Sequence, residues 1–263
     1  MKRLLCALLL LPALAAAKVP DEEDITLRTF DSSSPYYLPV LLMRFNDPAE
    51  RLTDEEYHYL YYGYAYHDNY KPLESNPDMD RLLLMVSGID PDAPDREALE
   101  GLLVLARRAA ERDPFSPKLL NLMAFAHGVL GHEAEEKAAY DRMNGIVRAI
   151  LDSGDGLTQG TPRHILMFEH AADVLAAEGF DSERGRVVSR SVEFLPLVAP
   201  QVVDGKKRKG FYFDFSRIYR NKPEGYTYKR DRTWQFNNLK PRVYKYPFGG
   251  SPPAGGGSRR RHA

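Results

Sequence analysis

Fourteen residues, YHYLYYGYAYHDNY at 57–70, contain seven tyrosines. A tyrosine offers a flat apolar ring and a hydroxyl at low entropic cost, so a cluster of them can line a groove for a glycan or a peptide. Tyr61, Tyr62, Gly63 and Tyr66 are the candidates for such a surface. The competing reading is packing: up to Gly63, helical spacing places Tyr57, Leu60, Tyr61 and Tyr64 on one face, as a core element requires.

The second candidate is the segment DSGDGLT at 152–158. Asp152, Gly154, Asp155, Gly156 and Thr158 have the composition of a ligand loop. A calcium hand needs oxygen ligands at alternate positions and a bidentate Glu at the twelfth. Here the twelfth position from Asp152 is Arg163, which excludes that site. The alternative is a helix end: Gly154 left-handed, Asp155-Gly156 as the turn, and Thr158 or Thr161 capping the next helix.

Histidines suggest zinc without supplying its geometry. His164, Glu169 and His170 read H-x-x-x-x-E-H, whereas zinc helices place both histidines on one face as HExxH or HxxEH. His127 and His132 flank the turn glycine Gly131 and are expected to cap or to face solvent. No metal site and no cofactor is expected. Neither a G-x-S-x-G elbow nor a phosphate loop nor a dinucleotide fingerprint is present, which disfavours nucleotide and α/β-hydrolase chemistry. The many acids leave open a pair of carboxylates flanking a cleft, but sequence spacing does not select a pair.

The elements that position these residues read mainly as helices. Ser34-Pro35, Ser116-Pro117 and Thr161-Pro162 each place a capping hydroxyl before a proline suited to the first helical turn. Thr53 with Glu56 forms a capping box. Four apolar stripes follow at helical spacing: Leu99 to Ala110, Leu119 to Leu130, Ala139 to Ile150, and Ile165 through Phe168 and Ala172 to Leu175. Short turns between them predict antiparallel neighbours. Residues 97–150 look like a degenerate tetratricopeptide (TPR-like) unit, without the three repeats that a solenoid needs. Residues 202–215 predict a β-hairpin, with β-prone runs on either side of a basic turn. The fold expected is mainly α, with antiparallel TPR-like helical pairs in one domain over 18–220 and a small hairpin near 202–215.

At the start, Lys2 and Arg3 precede an apolar run from Leu4 to Leu14 that ends in Ala15-Ala16-Ala17. This is the pattern of a secretory signal peptide over 1–17, too short to span a membrane. The lone cysteine, Cys6, lies inside it, so the processed chain would carry no disulfide and no thiol nucleophile. An exported protein, periplasmic or secreted, is therefore expected. Its charge is uneven: residues 18–205 hold 18 Lys and Arg against 34 Asp and Glu, whereas residues 206–263 hold 16 against 3. The basic extension, 221–263, carries several aromatics and closes in a Gly/Pro-rich stretch that is expected to be disordered. Outside the cytoplasm such a tail suits an anionic polymer or lipid, and no nucleic acid partner is expected.

Four stretches resemble one bacterial family: SPYYLPVLLMRF at 34–45, LTDEEYHYLYYGYAYHDNYKPL at 52–73, the run 122–158, and GFYFDFSRIY at 210–219. Together they are similar to the family called domain of unknown function 4919, and LYYG at 60–63 with SGDGLT at 153–158 are the most specific pieces. The resemblance spans roughly residues 34–220 and implies an exported protein with no assigned activity. The chain departs from the pattern at Gln159 to Pro162, at His170 in place of an aromatic, and at Asp214 in place of Asn. The reading that follows is a non-catalytic binding protein of the cell envelope, with a protein, peptide or envelope polymer as partner. The alternative is an envelope glycan or peptide hydrolase using paired carboxylates.

Overall fold

A computed structural model of the chain describes residues 17–90, 93–203 and 205–220. The expected leader, apart from Ala17, and the basic extension 221–263 lie outside the described residues. Eight α-helices and a four-stranded sheet are present among them, so the protein is mainly α. No described helix is long and apolar enough to cross a membrane.

Local chemistry explains most of the starts. In α1 (Glu22–Phe30), Asp21 caps the helix by accepting from the Asp24 N–H. The capping box of Thr53 and Glu56 opens α3 (Asp54–Gly63), which tightens into a 3-10 turn over Tyr64–Tyr66. Asn76 caps α4 (Pro77–Val86), Asp95 caps α5 (Arg96–Ala110), and Ser116 caps α6 (Pro117–Leu130) with Pro117 at its first turn. Gly131, at φ 80°, ends α6 in the left-handed conformation, and α7 (Glu133–Leu151) follows.

Two proline signals do not start helices. Ser34 holds a turn by accepting from the Tyr36 N–H, and α2 (Leu38–Asn46) begins at the next proline instead. Thr161-Pro162 leads into a short strand, β1 (Arg163–His164), and α8 (Phe168–Ala177) starts later, from Met167 without a side-chain cap. The cause is competition: the Ile165 N–H is taken by Asp214 O, so sheet pairing uses the donors a helix would need. The fourth stripe shifts with it, burying Ala171, Val174 and Leu175 and leaving Ala172 exposed.

The hairpin is longer than its sequence signal. β3 (Val192–Val203) and β4 (Lys206–Asp214) pair antiparallel, with an irregularity between Pro196 and Gln201. β2 (Arg186–Val187) joins β3, and β1 lies parallel to β4, giving the order β1-β4-β3-β2.

The main core gathers around α3, where Leu60, Tyr61 and Tyr62 have no exposed surface, and it extends through α7 and α8 to Phe211, Phe213 and Phe215 of the sheet side. A second apolar cluster joins α4, α5 and α6 through Leu82, Leu99, Leu102 and Leu119. In α7, Gly145 is required by contact: a Cβ there would lie 2.2 Å from the Tyr57 ring. That close approach seats α3 on α7 and shapes the cleft described below.

Candidate functional site

The tyrosine run forms the centre of the core. Tyr61 O–H lies 2.8 Å from His170 Nδ1, the other ring nitrogen of His170 lies 3.1 Å from Asp113 Oδ2, and the Leu166 N–H donates to the Tyr61 oxygen at 3.0 Å. Nε2–H donates to the Asp113 carboxylate whether the ring is neutral or charged, while the Tyr61 hydroxyl donates to Nδ1 of the neutral ring and accepts from Nδ1–H of the charged one. Tyr62 O–H donates to His164 O at 3.0 Å, and Tyr70 O–H donates to Leu166 O at 2.7 Å. Three tyrosine hydroxyls thus strap the segment between β1 and α8. Burial alone would push His170 down, but the charge of Asp113 and its hydrogen bond hold it above the usual histidine value. Burial pushes the Tyr61 hydroxyl well up, so it stays protonated.

The aromatic candidates therefore divide. Tyr61 and Tyr62 are wholly enclosed, and their rings are spent on packing. Gly63 lies against α1, where a Cβ would sit 2.7 Å from Thr29 Cγ2. Tyr66 is half-buried, with the Arg220 guanidinium 4.0 Å above its ring and Phe30 edge-on at 6.1 Å. The structure does not bring these four together into one open surface.

The SGDG segment uses its polar groups on itself. Ser153 Oγ donates to Ile150 O at 2.6 Å and accepts from the His164 N–H at 2.8 Å. Asp155 accepts from the Leu157 N–H and from Thr161 Oγ1, which also pairs with Thr158 Oγ1 at 2.8 Å. Asp152 follows the end of α7, and its carbonyl accepts from the Lys18 N–H at 2.7 Å. The left-handed glycine is Gly156, at φ 67°, not Gly154. Gly154 is demanded instead by proximity, because a Cβ would meet Pro162 O at 2.1 Å. Neither Thr158 nor Thr161 caps α8. The segment is a turn that locks α7 to β1.

The histidines are also placed differently from a zinc helix. His164 lies on β1, 3.2 Å from an Arg217 guanidinium nitrogen, while His170 lies on α8. His127 is buried rather than facing solvent, its Nδ1 3.2 Å from His132 Nδ1. Among the described residues no group of three His, Cys, Asp or Glu side chains could hold a metal ion.

A cavity of about 180 Å³ opens elsewhere, between the end of α2, the start of α3 and the middle of α7. Phe45, Leu52 and Tyr57 supply its apolar lining, and Arg44, Arg51, Arg142 and Arg148 its cations. Three of the four are committed. Arg44 pairs with Glu50 at 3.0 Å and with Glu56, Arg51 pairs with Asp141, and Arg148 pairs with Asp54 at 2.8 Å. Arg142 is not: its guanidinium lies 5.5 Å from the Phe45 ring, and its Nη2 is buried without a hydrogen-bond partner among the described residues. Burial holds its pKa below the usual arginine value, with Tyr57 and Asp47 partly opposing. It stays charged, because guanidinium is not deprotonated in proteins. A desolvated cation with spare donors, beside an apolar wall, is equipped to hold an anion.

Sequence reasoning missed this site because its arginines are scattered and read as ordinary solvated charges. One signal was present. Arg142 falls three or four residues from Ala138, Ala139, Gly145 and Ile146, which places a cation on the buried face of α7.

The profile of the family described as Domain of unknown function (DUF4919) matches residues 23–224. The chain belongs to this family. In this DUF4919 protein the matched span takes in both the tyrosine network and the arginine cleft, and it stops near the start of the basic extension. No curated protein and no solved structure matches the chain.

Proposed function

We propose that the protein is an exported, non-catalytic binding protein of the cell envelope, with the cleft between α2, α3 and α7 as its binding site. The observation that carries this reading is Arg142: in a fold whose Tyr61, Tyr62, Tyr70, Thr158 and Thr161 hydroxyls are bonded within the chain, this guanidinium borders a cavity and has no ion-pair partner among the described residues, with its Nη2 lacking a hydrogen bond. Two features support binding over hydrolysis. A general acid needs a carboxyl pushed upward, yet the carboxyls that move, Asp24, Asp31, Glu56, Glu74 and Asp214, all move down. The Tyr61–His170–Asp113 chain has the residue types of a proton relay but no surface for a substrate.

The helices α5, α6 and α7 act in this reading as TPR-like pairs, a scaffold that presents α7 to a peptide or an envelope polymer. The basic extension adds attraction to an anionic polymer or lipid. The test is retention of the full chain on its own envelope preparation. Combined substitution Arg51→Ala and Arg142→Gln should lower retention at least fivefold, and deletion of 221–263 should lower it mainly at low salt. Unchanged retention in the folded cleft variant removes the cleft from the function.

A further inference from the structure

We infer that the cleft is a receptor for a single carboxylate carried beside an apolar group, and that Arg142 pairs with it. This rests on the binding reading above and names the ligand class for the same site. Charge decides between anions. Arg44, Arg51 and Arg148 each have a carboxylate at ion-pair distance, among Glu50, Glu56, Asp141 and Asp54, whereas Arg142 has none among the described residues. A carboxylate matches it one to one. A phosphate dianion would bring a second negative charge next to Glu50 and Asp141, both in the cleft wall.

Geometry decides how the group sits. The Arg142 guanidinium lies over the Phe45 ring with Nη2 enclosed, which leaves the N–H groups at Nε and Nη1 to meet one oxygen of a carboxylate. Phe45 and Tyr57 meet edge to face at 6.4 Å, and with Leu52 they form the apolar surface beside the guanidinium. Size sets the limit. The cavity, about 180 Å³, has the share of liquid volume of about six waters, enough for a small acid or the last residue of a peptide.

The experiment uses the full chain labelled at arginine Nε, titrated with benzoate, N-acetylphenylalanine, benzamide and inorganic phosphate while the arginine Nε–H signals are followed by NMR. Benzoate and N-acetylphenylalanine should shift one arginine signal saturably, and the tighter of the two tells a free acid from a peptide end. Benzamide, without the charge, should bind at least tenfold more weakly. Arg142→Gln should weaken both acids at least tenfold, with Arg142→Lys between it and the native chain, and circular dichroism should show both variants folded. Equal binding of benzamide, or unchanged binding of the acids by folded Arg142→Gln, overturns the inference. Preference for phosphate, lost in Arg142→Gln, overturns the carboxylate class while leaving the cleft as a binding site. Absence of any shift, with envelope retention still dependent on Arg51 and Arg142, overturns the carboxylate class and leaves the proposed function standing.

Discussion

The Tyr61–His170–Asp113 chain and the Arg142 cleft both place polar groups against α3, and they resolve the cost of burial in opposite ways. In the first, donors and acceptors close on one another: Tyr61 meets His170 and Leu166, and His170 meets Asp113. In the second, the carboxylates of the cleft are taken by three arginines, and Arg142 keeps a buried nitrogen without a partner among the described residues. A closed network specifies packing; an open one leaves interaction energy for something that is not part of the chain. The comparison turns on stability, because removing a member of a closed network leaves orphans, whereas removing an uncommitted cation leaves none.

The largest effect is expected at Tyr61. Tyr61→Ala removes a fully buried ring and strips His170 Nδ1 and the Leu166 N–H of their partner, so it should cost about 4 kcal/mol or more in urea denaturation. A loss below about 1 kcal/mol would mean that the ring is not part of the core, and would return it to the binding surface. Tyr66→Ala should cost less, about 1–2 kcal/mol, because that ring is half-buried and rests on Arg220 and Phe30.

Two histidines in this core should set the pH dependence, with opposite signs. Burial, helped by Lys18 and Arg217, lowers the His58 pKa to about 4, and its Nδ1 is buried without a partner among the described residues. A folded pKa below the unfolded value means that stability is full above the unfolded value of about 6.5 and falls as pH drops from there toward 4, by about 3 kcal/mol. His58→Phe should flatten that acid limb in denaturation measured from pH 4 to 7. For His170 the folded pKa is raised, so its contribution is present below about 6.5 and is lost as pH rises through the folded value. His170→Asn should lower stability at acid and neutral pH and remove this alkaline loss. An unchanged alkaline limb would mean that the Asp113 carboxylate does not hold the His170 proton.

Legibility in the sequence followed how local the physics was. Ser116, Thr53 and Gly131 announced their helix ends because caps are decided within a few residues. The stripes of α5, α6 and α7 were readable for the same reason. Thr161-Pro162 misled because the donors that follow it are claimed by β4, more than forty residues later in the chain. At the candidate site, Tyr61 and Tyr62 were named but not their role, since a tyrosine in a groove and a tyrosine strapping a backbone segment look alike until the partners at 164–170 are known. The cleft was hidden more deeply: Arg44 and Arg142 come from different helices, and only the fold shows which arginines already have carboxylates.

The smallest effect on stability is expected at Arg142, and it is the one that separates the two regions most cleanly. Arg142→Met keeps a flexible apolar stem against Phe45 and discards the charge. Since no carboxylate of the described residues is paired with that charge, none is abandoned, and the desolvation of the guanidinium is relieved. The variant should therefore melt within about 1 kcal/mol of the native chain in stability terms, on the stable side if on either. Its loss of acid binding would then belong to the missing cation and not to a damaged fold. A cost of about 3 kcal/mol, as for a broken buried ion pair, would make Arg142 part of the closed architecture and leave α7 with no group free to hold a ligand.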